Sequence, residues 1–375
     1  MSIFGNQSTP GIVFTADQQA AIEAIDEWAS DPESREFTLG GLAGTGKTTM
    51  LAEILKTLPC RVAAPTGKAA QNLRRKGIPA GTVHGLIYKY IGEDENEKPV
   101  FDDKGDAHAF VAIDEASMVN AEMANDLRRH CGRILWVGDH GQLPPVGDDP
   151  GIMSDPDARL ETICRQTDGS DIIRFAHHLR TGCKAEDFTV KADDVLLRRM
   201  ADMTDEKMWK LVEDYGVDLI VVGYNETRWE INRQNRHILF GDGEKNGVPR
   251  KGDKVVCLMN DHERRIMNGQ RLVIMTEPES HELAVIADLE DEDGNYFQDV
   301  PMLREQFGRP TFGMRKAPRE LGRYDYGYAL TCHKAQGSEA DTVLVLDQPV
   351  GKGDDRTRWR YTAATRAAKR LIWIY

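Results

Sequence analysis

The sequence predicts an α/β protein: two parallel sheets flanked by helices, with a small β-hairpin inserted in the first half and a small antiparallel β insertion in the second. Three observations carry that expectation. Short β-rich runs alternate with helix-period segments in both halves, as a parallel sheet with crossover helices requires. Two tracts, 88–108 and about 251–323, break the alternation with charged residues and turn pairs. A G-x-x-x-x-G-K-T string lies between a predicted strand and a predicted helix, and the 375 residues suffice for two or three domains.

In the first half, Phe37-Thr38-Leu39 reads as a strand, Lys47 to Leu58 as a helix, Arg61 to Ala64 as a strand and Gly67 to Lys76 as a helix. Phe110 to Ile113 and Ile134 to Val137 are further buried strands. Within the insertion, Asp102-Asp103-Lys104-Gly105 is a turn signal that predicts a hairpin between Pro99-Val100-Phe101 and the next strand. A second α/β block starts near residue 166, with a helix from Ser170 to Arg180, a strand from Leu219 to Val222 and a helix from Glu226 to Phe240. It resumes with a strand from Thr342 to Leu346, a helical segment from Trp359 to Lys369 and the strand Leu371-Ile372-Trp373-Ile374. Between Lys251 and Arg323, short β segments with turns at Asn268-Gly269 and Asp293-Gly294 predict a barrel-like insert. Its acidic run, Asp288 to Asp293, fits a solvated hairpin tip, because cation loops need spaced ligands and a defining glycine. The expected domains are 1–87 with 109–165, the insertion 88–108, 166–250 with 324–375, and the insertion 251–323.

With 61 acidic against 48 basic side chains the formal charge is −13, so bulk attraction to nucleic acid is excluded and any such ligand must lie in a locally positive groove. Apolar runs such as Leu219 to Val222 and Val343 to Leu346 are strand-sized and far short of the roughly 18 residues of a membrane span. The first residues lack the basic region and apolar core of a secretory signal, and the six cysteines show no C-x-x-C pair. A cytoplasmic protein with free thiols and no structural metal is expected.

Gly41-Leu42-Ala43-Gly44-Thr45-Gly46-Lys47-Thr48 has the residue types a triphosphate needs. Gly41, Gly44 and Gly46 leave room for main-chain N–H groups to face phosphate oxygens, and the following helix N-terminus adds positive potential. Lys47 places an ammonium on the terminal phosphates, and Thr48 offers its hydroxyl to Mg²⁺. Thr45 and Thr49 complete the set. In Val111-Ala112-Ile113-Asp114-Glu115 an apolar strand ends in two acids: Asp114 can hold the magnesium through water while Glu115 orients and deprotonates the attacking water. Alone, such a pair reads as surface charge; behind a phosphate loop the odds reverse.

From here the order of motifs resembles the superfamily 1 helicases, particularly the RecD and Dda group. The resemblance spans most of the chain. Phe14-Thr15-Ala16-Asp17-Gln18 is similar to the family's adenine-reading segment, with Gln18 as the reader. Ala64-Pro65-Thr66-Gly67-Lys68 and Thr82-Val83-His84-Gly85 resemble its two strand-following loops that touch the DNA backbone. Val137-Gly138-Asp139-His140-Gly141-Gln142-Leu143-Pro144-Pro145 resembles the coupling motif, in which Gln142 would sense the terminal phosphate. Cys164-Arg165-Gln166 resembles the segment whose arginine reaches the nucleotide, offsetting charge on the transferred phosphoryl group. Tyr328 to Glu339 resembles the late motif linking DNA to nucleotide, and Arg360 to Ala367 the final motif, with Arg366 as a second arginine finger.

The resemblance implies two RecA-like P-loop NTPase domains and an SH3-like second insertion. It implies ATP and Mg²⁺ as cofactors, with Lys47, Glu115, Gln142, Arg165 and Arg366 catalytic. It implies travel 5′ to 3′ on single-stranded DNA and unwinding at single-strand/duplex junctions in replication, recombination or repair. Pro65, Thr66, Lys68, Thr82, His84, Asn225, Thr331, His333 and Lys334 are the candidate DNA contacts. By chemistry alone these donors do not reveal the sugar, so an RNA helicase stays open, as does a DNA-stimulated ATPase that remodels or recruits without unwinding. The 88–108 insertion occupies the place of the family's strand-separating pin; Phe101 is either its wedge or a core side chain. The short chain resembles a minimal, phage-like enzyme. A monomer with no membrane partner, working beside replisome or single-strand-binding proteins, is expected.

Overall fold

The computed structural model describes residues 13–93, 99–103, 108–164, 170–241, 248–261, 263–308, 318 and 320–375, with only the backbone of 90–93 and 99–103. The chain divides into two compact units, Met1–Ile173 and Arg174–Tyr375.

In the first unit the strands are β1 (Glu36–Gly41), β2 (Arg61–Ala64), β3 (Ala80–Thr82), β4 (Tyr88–Glu93), β5 (Pro99–Asp103), β6 (His108–Ile113), β7 (Cys131–Gly138) and β8 (Ala158–Leu160). Its helices are α1 (Ala16–Ser30), α2 (Lys47–Thr57), α3 (Gly67–Arg75), α4 (Val83–Ile87) and α5 (Ala121–His130). Six of the strands form one sheet in the order β3-β2-β6-β7-β1-β8, every pairing parallel. Both faces are covered, so the central strands are apolar throughout and successive residues serve opposite cores. Leu135 and Val137 join Leu39, Ala112 and the apolar faces of α1 and α2 on one side. Ile134 and Trp136 join Val111, Ile113 and Leu127 on the other. Helix starts are fixed by side chains: Thr15 and Gln18 form a reciprocal capping box on α1, and Thr66, Thr82 and Asn120 cap α3, α4 and α5.

The inserted hairpin pairs differently from the expectation. β5 runs antiparallel to the preceding β4, with Tyr90 opposite Phe101, while β6 belongs to the parallel sheet. The Asp-Asp-Lys-Gly signal is therefore not the tip of that hairpin. The apolar run Phe110 to Ile113 gains more by joining the buried sheet between β2 and β7 than by closing a solvated ribbon.

In the second unit the strands are β9 (Val195–Arg198), β10 (Leu219–Val222), β11 (Lys254–Cys257), β12 (Arg271–Ile274), β13 (Glu279–Ser280), β14 (Ala284–Asp291), β15 (Tyr296–Leu303), β16 (Tyr324–Tyr326), β17 (Ala329–Thr331), β18 (Ala340–Leu346) and β19 (Ala367–Ile374). The helices after α5 are α6 (Asp171–Arg180), α7 (Asp205–Asp214), α8 (Asn225–Phe240), α9 (Cys332–Ala335) and α10 (Asp354–Ala364). A second parallel sheet has the order β17-β10-β18-β19-β9. Between β10 and β17 the chain builds an antiparallel sheet, β13-β14-β12-β11-β16 with β15 on β14, around its own core of Val255, Leu272, Val285, Leu289, Val300 and Tyr324. The turn pair Asn268-Gly269 leads into β12, and Asp293-Gly294 joins β14 to β15. The last strand starts at Ala367, where a helix running to Lys369 was expected. The local Ala-rich sequence favours helix, but the parallel ladder to β18 reaches back to Ala340 opposite Ala367 and overrides it.

Candidate functional site

All strands of a parallel sheet end on the same edge, so in the first unit every motif-bearing loop leaves from one line. In sheet order, β3 ends at Thr82, β2 at Ala64 before Pro65 and Thr66, β6 at Ile113 before Asp114 and Glu115, β7 at Gly138 before Asp139, and β1 at Gly41 in the phosphate loop. Sequence order scatters these residues from Gly41 to Asp139; the sheet gathers them.

The loop after β1 is shaped for an anion. Gly44 and Gly46 both have φ near +81°, the left-handed region open to glycine. A Cβ on Gly41 would lie 2.7 Å from Lys47 Cγ, and one on Gly46 would lie 2.8 Å from Gln18 Nε2. Gly46 is the N-cap of α2 and supplies no side-chain cap, so the first N–H groups of that helix lack the internal partner that Thr or Asn gives its neighbours. Lys47 Nζ donates to the carbonyls of Gly41 (2.7 Å) and Leu42 (3.1 Å) and lies 3.8 Å from Asp139 Oδ2. Thr45 is buried, and its hydroxyl donates to Leu42 O at 2.8 Å within the loop. Thr48 Oγ1 accepts from Lys76 Nζ at 3.4 Å, and Thr49 is exposed on α2.

At the end of β6, Asp114 N–H donates to Ala63 O at 2.9 Å, tying the acid to β2. Burial first, and the neighbouring Glu115 carboxylate second, push the Asp114 carboxyl up to about 7 against the pull of Lys47 and Lys76. Glu115 sits at φ 54°, ψ 40°, a left-handed conformation that costs a non-glycine residue about 1 kcal/mol or more. Strain of this kind at a strand end with two acids is what a functional position tolerates. Gln142 is buried; its Nε2 donates to Asp139 Oδ2 at 3.2 Å, while its Oε1 has no partner among the described residues. A buried amide oxygen without a donor is costly and marks a place for a ligand or water.

Gln18 is also brought here. Its Oε1 accepts from Thr15 N–H (3.0 Å), and its Nε2 donates to Thr45 O (2.9 Å) and meets Cys164 Sγ at 3.2 Å. Three residues of this neighbourhood were not singled out from the sequence: Asp139, fully buried between Lys47 and Gln142, Lys76 beside Thr48, and Cys164 on Gln18. For Asp139 the signal was its place just before His140-Gly141-Gln142 at a strand end. For Cys164 it was its place next to Arg165 in the Cys164-Arg165-Gln166 segment; Lys76 had none. Glycines that a Cβ would fill, an uncapped helix start, Lys47, the Thr48 hydroxyl, two adjacent acids and an unpartnered buried amide together fit a nucleoside triphosphate with Mg²⁺, held by Lys47, Thr48 and Asp114.

The remaining candidates fall on two short tracks. In the first unit Ala64 pairs with Thr82, so Pro65 and Thr66 lie beside Thr82 and His84. The Thr66 and Thr82 hydroxyls accept from Ala69 and Gly85 N–H as helix caps. His84 is exposed, stacks on Tyr88 at 5.7 Å, and is held below the usual histidine pKa by desolvation. Lys68 is only 4% exposed, within α3. In the second unit Val222 pairs with Thr331, which puts Asn225 at the start of α8 beside Thr331, His333 and Lys334. Asn225, His333 and Lys334 are exposed; desolvation lowers the pKa of His333, and desolvation with Arg228 lowers that of Lys334. Arg366 is 6% exposed, its guanidinium donating to the carbonyls of Thr362 (2.9 Å), Ala335 (3.4 Å) and Ser338 (3.1 Å) and to Thr365 Oγ1 (3.0 Å). The guanidinium thus rests on neutral acceptors beside the late motif. Arg165 lies outside the described residues, as does the side chain of Phe101.

A strand–phosphate loop–helix unit with two acids and an amide sensor on neighbouring strand ends defines a P-loop nucleoside-triphosphatase site. Residues 14–202 match the AAA domain family, and residues 326–374 match the UvrD-like helicase C-terminal domain. The ATP-dependent RecD2 DNA helicase of Deinococcus radiodurans is 31% identical over 388 residues, covering 95% of this chain and 48% of that protein. The RecBCD enzyme subunit RecD of Mycolicibacterium smegmatis is 26% identical, covering 89% of this chain and 67% of the relative. The chain thus spans about half the length of the first relative. In fold it is similar to the Bacteroides Pif1 helicase solved with ADP-AlF3 and ssDNA, with TM-score 0.57, 18% identity, and 96% and 92% of the two chains covered. The chain belongs to the AAA domain family, with a stretch matching the UvrD-like helicase C-terminal domain following it.

Proposed function

We propose that this chain is an ATP-dependent DNA helicase that moves 5′ to 3′ along single-stranded DNA and separates duplex ahead of it. The observation that carries the reading is the single carboxyl edge of the first sheet, where the nucleotide residues and the backbone-contact residues Pro65, Thr66, Thr82 and His84 leave from adjacent strands. A change at the phosphate end of that edge is transmitted through paired strands to the other end. The RecD2 relative, named a DNA helicase, supports DNA as the substrate.

Bound Mg²⁺-ATP supplies the phosphoanhydride whose cleavage releases the free energy. Lys47, freed from the Gly41 and Leu42 carbonyls, turns its ammonium to the phosphates. Asp114 would hold Mg²⁺ through water. Glu115 takes the proton from the attacking water, and its strained backbone fixes the carboxylate direction. Gln142 reads the terminal phosphate through a water that donates to its open Oε1, and its bond to Asp139 carries that report to Lys47. Arg165, by the family resemblance, offsets the charge on the transferred group. Thr331, His333, Lys334 and Asn225 provide the second grip on the strand, and contacts to backbone suit a motor that must pass any sequence.

Unwinding of partial duplexes carrying a 5′ or a 3′ single-stranded tail, with and without ATP, tests the reading. The expected result is ATP-dependent displacement from the 5′-tailed substrate. Preference for the 3′ tail refutes the polarity, and DNA-stimulated hydrolysis with no displacement from either substrate refutes the helicase.

A further inference from the structure

One face of α8 is buried and polar. Arg228, Asn232 and Arg236 follow one another at four-residue spacing, which stacks them along one side of a helix, and they are 4%, 1% and 2% exposed. Their partners lie where the β insertion ends and the late motif begins. Arg228 pairs with Asp325 of β16 at 3.0 Å. Asn232 donates to Tyr326 O (3.1 Å) and Ala329 O (3.3 Å) and accepts from Ala329 N–H (2.7 Å). Arg236 donates to Asp253 Oδ1 (2.9 Å), which also accepts from Tyr328 OH (2.8 Å), and its guanidinium lies 4.0 Å from the Tyr326 ring centroid.

Only Gly327 and Tyr328 separate β16, the last strand of the insertion, from β17, which leads into Thr331, His333 and Lys334. That link is held at both residues. Gly327 N–H donates to Lys254 O at 2.8 Å, a Cβ on Gly327 would come within 3.0 Å of the Val255 backbone, and Tyr328 is held through its hydroxyl. Two buried guanidinium groups and an amide, where apolar side chains would stabilise as well, are weak evidence of added stability.

We infer that Asn232 is a positioning residue, which with Arg228 and Arg236 welds the β insertion to the late motif so that load on the insertion reaches Thr331, His333 and Lys334 directly. The functional half of this statement rests on the DNA-contact reading of those three residues. Lys334 feels Arg228 and Asp325 electrostatically, as a neighbour of the weld should.

The test compares Asn232→Ala with Ile231→Ala, the adjacent buried residue of α8, which packs in the apolar core and has no polar bond to the link. Amide hydrogen exchange without DNA reads the weld itself. Residues 327–331 should exchange about tenfold faster in Asn232→Ala than in Ile231→Ala, the size expected when one backbone N–H and two carbonyls lose buried partners. In ATP hydrolysis assays the DNA concentration for half-maximal stimulation should rise several-fold in Asn232→Ala, with the KM for ATP unchanged. Equal exchange in the two variants overturns the inference. So does faster exchange with an unchanged DNA requirement, provided Lys334→Ala does weaken DNA stimulation. If Lys334→Ala responds to DNA normally, the DNA-contact reading is what has failed, and exchange alone then decides whether Asn232 holds the link.

Discussion

Replacing Gly46 by alanine separates two costs that the structure keeps apart. Gly46 has φ +81°, and a Cβ there would lie 2.8 Å from Gln18 Nε2. Gly77 has φ +80° with open space around its would-be Cβ, so Gly77→Ala isolates the left-handed backbone penalty of about 1–2 kcal/mol. Gly46→Ala carries that penalty and must also push aside the end of Gln18, whose amide bonds Thr15 N–H and Thr45 O. Displacing a flexible amide costs little in sterics but forfeits one buried and one partly buried hydrogen bond, adding about 1–3 kcal/mol. Equilibrium urea unfolding should therefore place Gly46→Ala below Gly77→Ala by that difference, and a fluorescent ATP analogue should bind Gly77→Ala normally and Gly46→Ala poorly. In a Gln18→Ala background, where nothing remains to be displaced, the cost of Gly46→Ala should return to about 1–2 kcal/mol. Equal stabilities for the two glycine variants, or additive costs in the double variant, would refute the contact between Gln18 and the loop as the source of the effect.

Three further outcomes are expected. Glu115→Gln should retain ATP binding and lose turnover by about 10²-fold or more, the scale of general-base catalysis, as measured by phosphate release against analogue binding; lost binding would remove the base assignment. His84→Ala should weaken DNA stimulation of hydrolysis more than basal turnover, and an unaltered DNA dependence would take His84 off the track. Asp17 resists the upward push of desolvation because Thr15 Oγ and the N–H groups of Glu161 and Thr162 donate to it, leaving its pKa at about 2. A depressed folded-state pKa stabilises the protein above the unfolded carboxylate value near 3.8 and is lost as pH falls toward 2. Asp17→Asn should therefore be less stable than the parent in urea titrations at neutral pH and should lose less stability on acidification; parallel acid profiles would contradict this.

The nucleotide residues were legible because their spacing is set by covalent geometry. Gly41 to Thr48 must turn a strand into a helix within a few residues around an anion, and the G-x-x-x-x-G-K-T arrangement does so. The apolar runs at 110–113, 134–137, 219–222 and 343–346 were legible for a related reason, since a strand covered on both faces has no polar phase. Pairing was a different matter. Asp102 to Gly105 signalled a turn, yet Pro99–Asp103 pairs back onto Tyr88–Glu93, because partner choice depends on which strand buries more elsewhere. Ala367 lies in β19 rather than a helix for the same reason.

The sequence by itself determined which residues can hold a triphosphate and which segments form the sheets, since both follow from chemistry within about ten residues. Only the tertiary structure decided that Lys76 meets Thr48, that Cys164 and Thr45 share the Gln18 amide, and that Arg228, Asn232 and Arg236 find partners between Asp253 and Ala329. Those contacts join segments far apart in the chain, and a polar side chain that will be buried differs in no local way from one that will be solvated. Its partner is chosen when the core closes and every buried donor must find an acceptor.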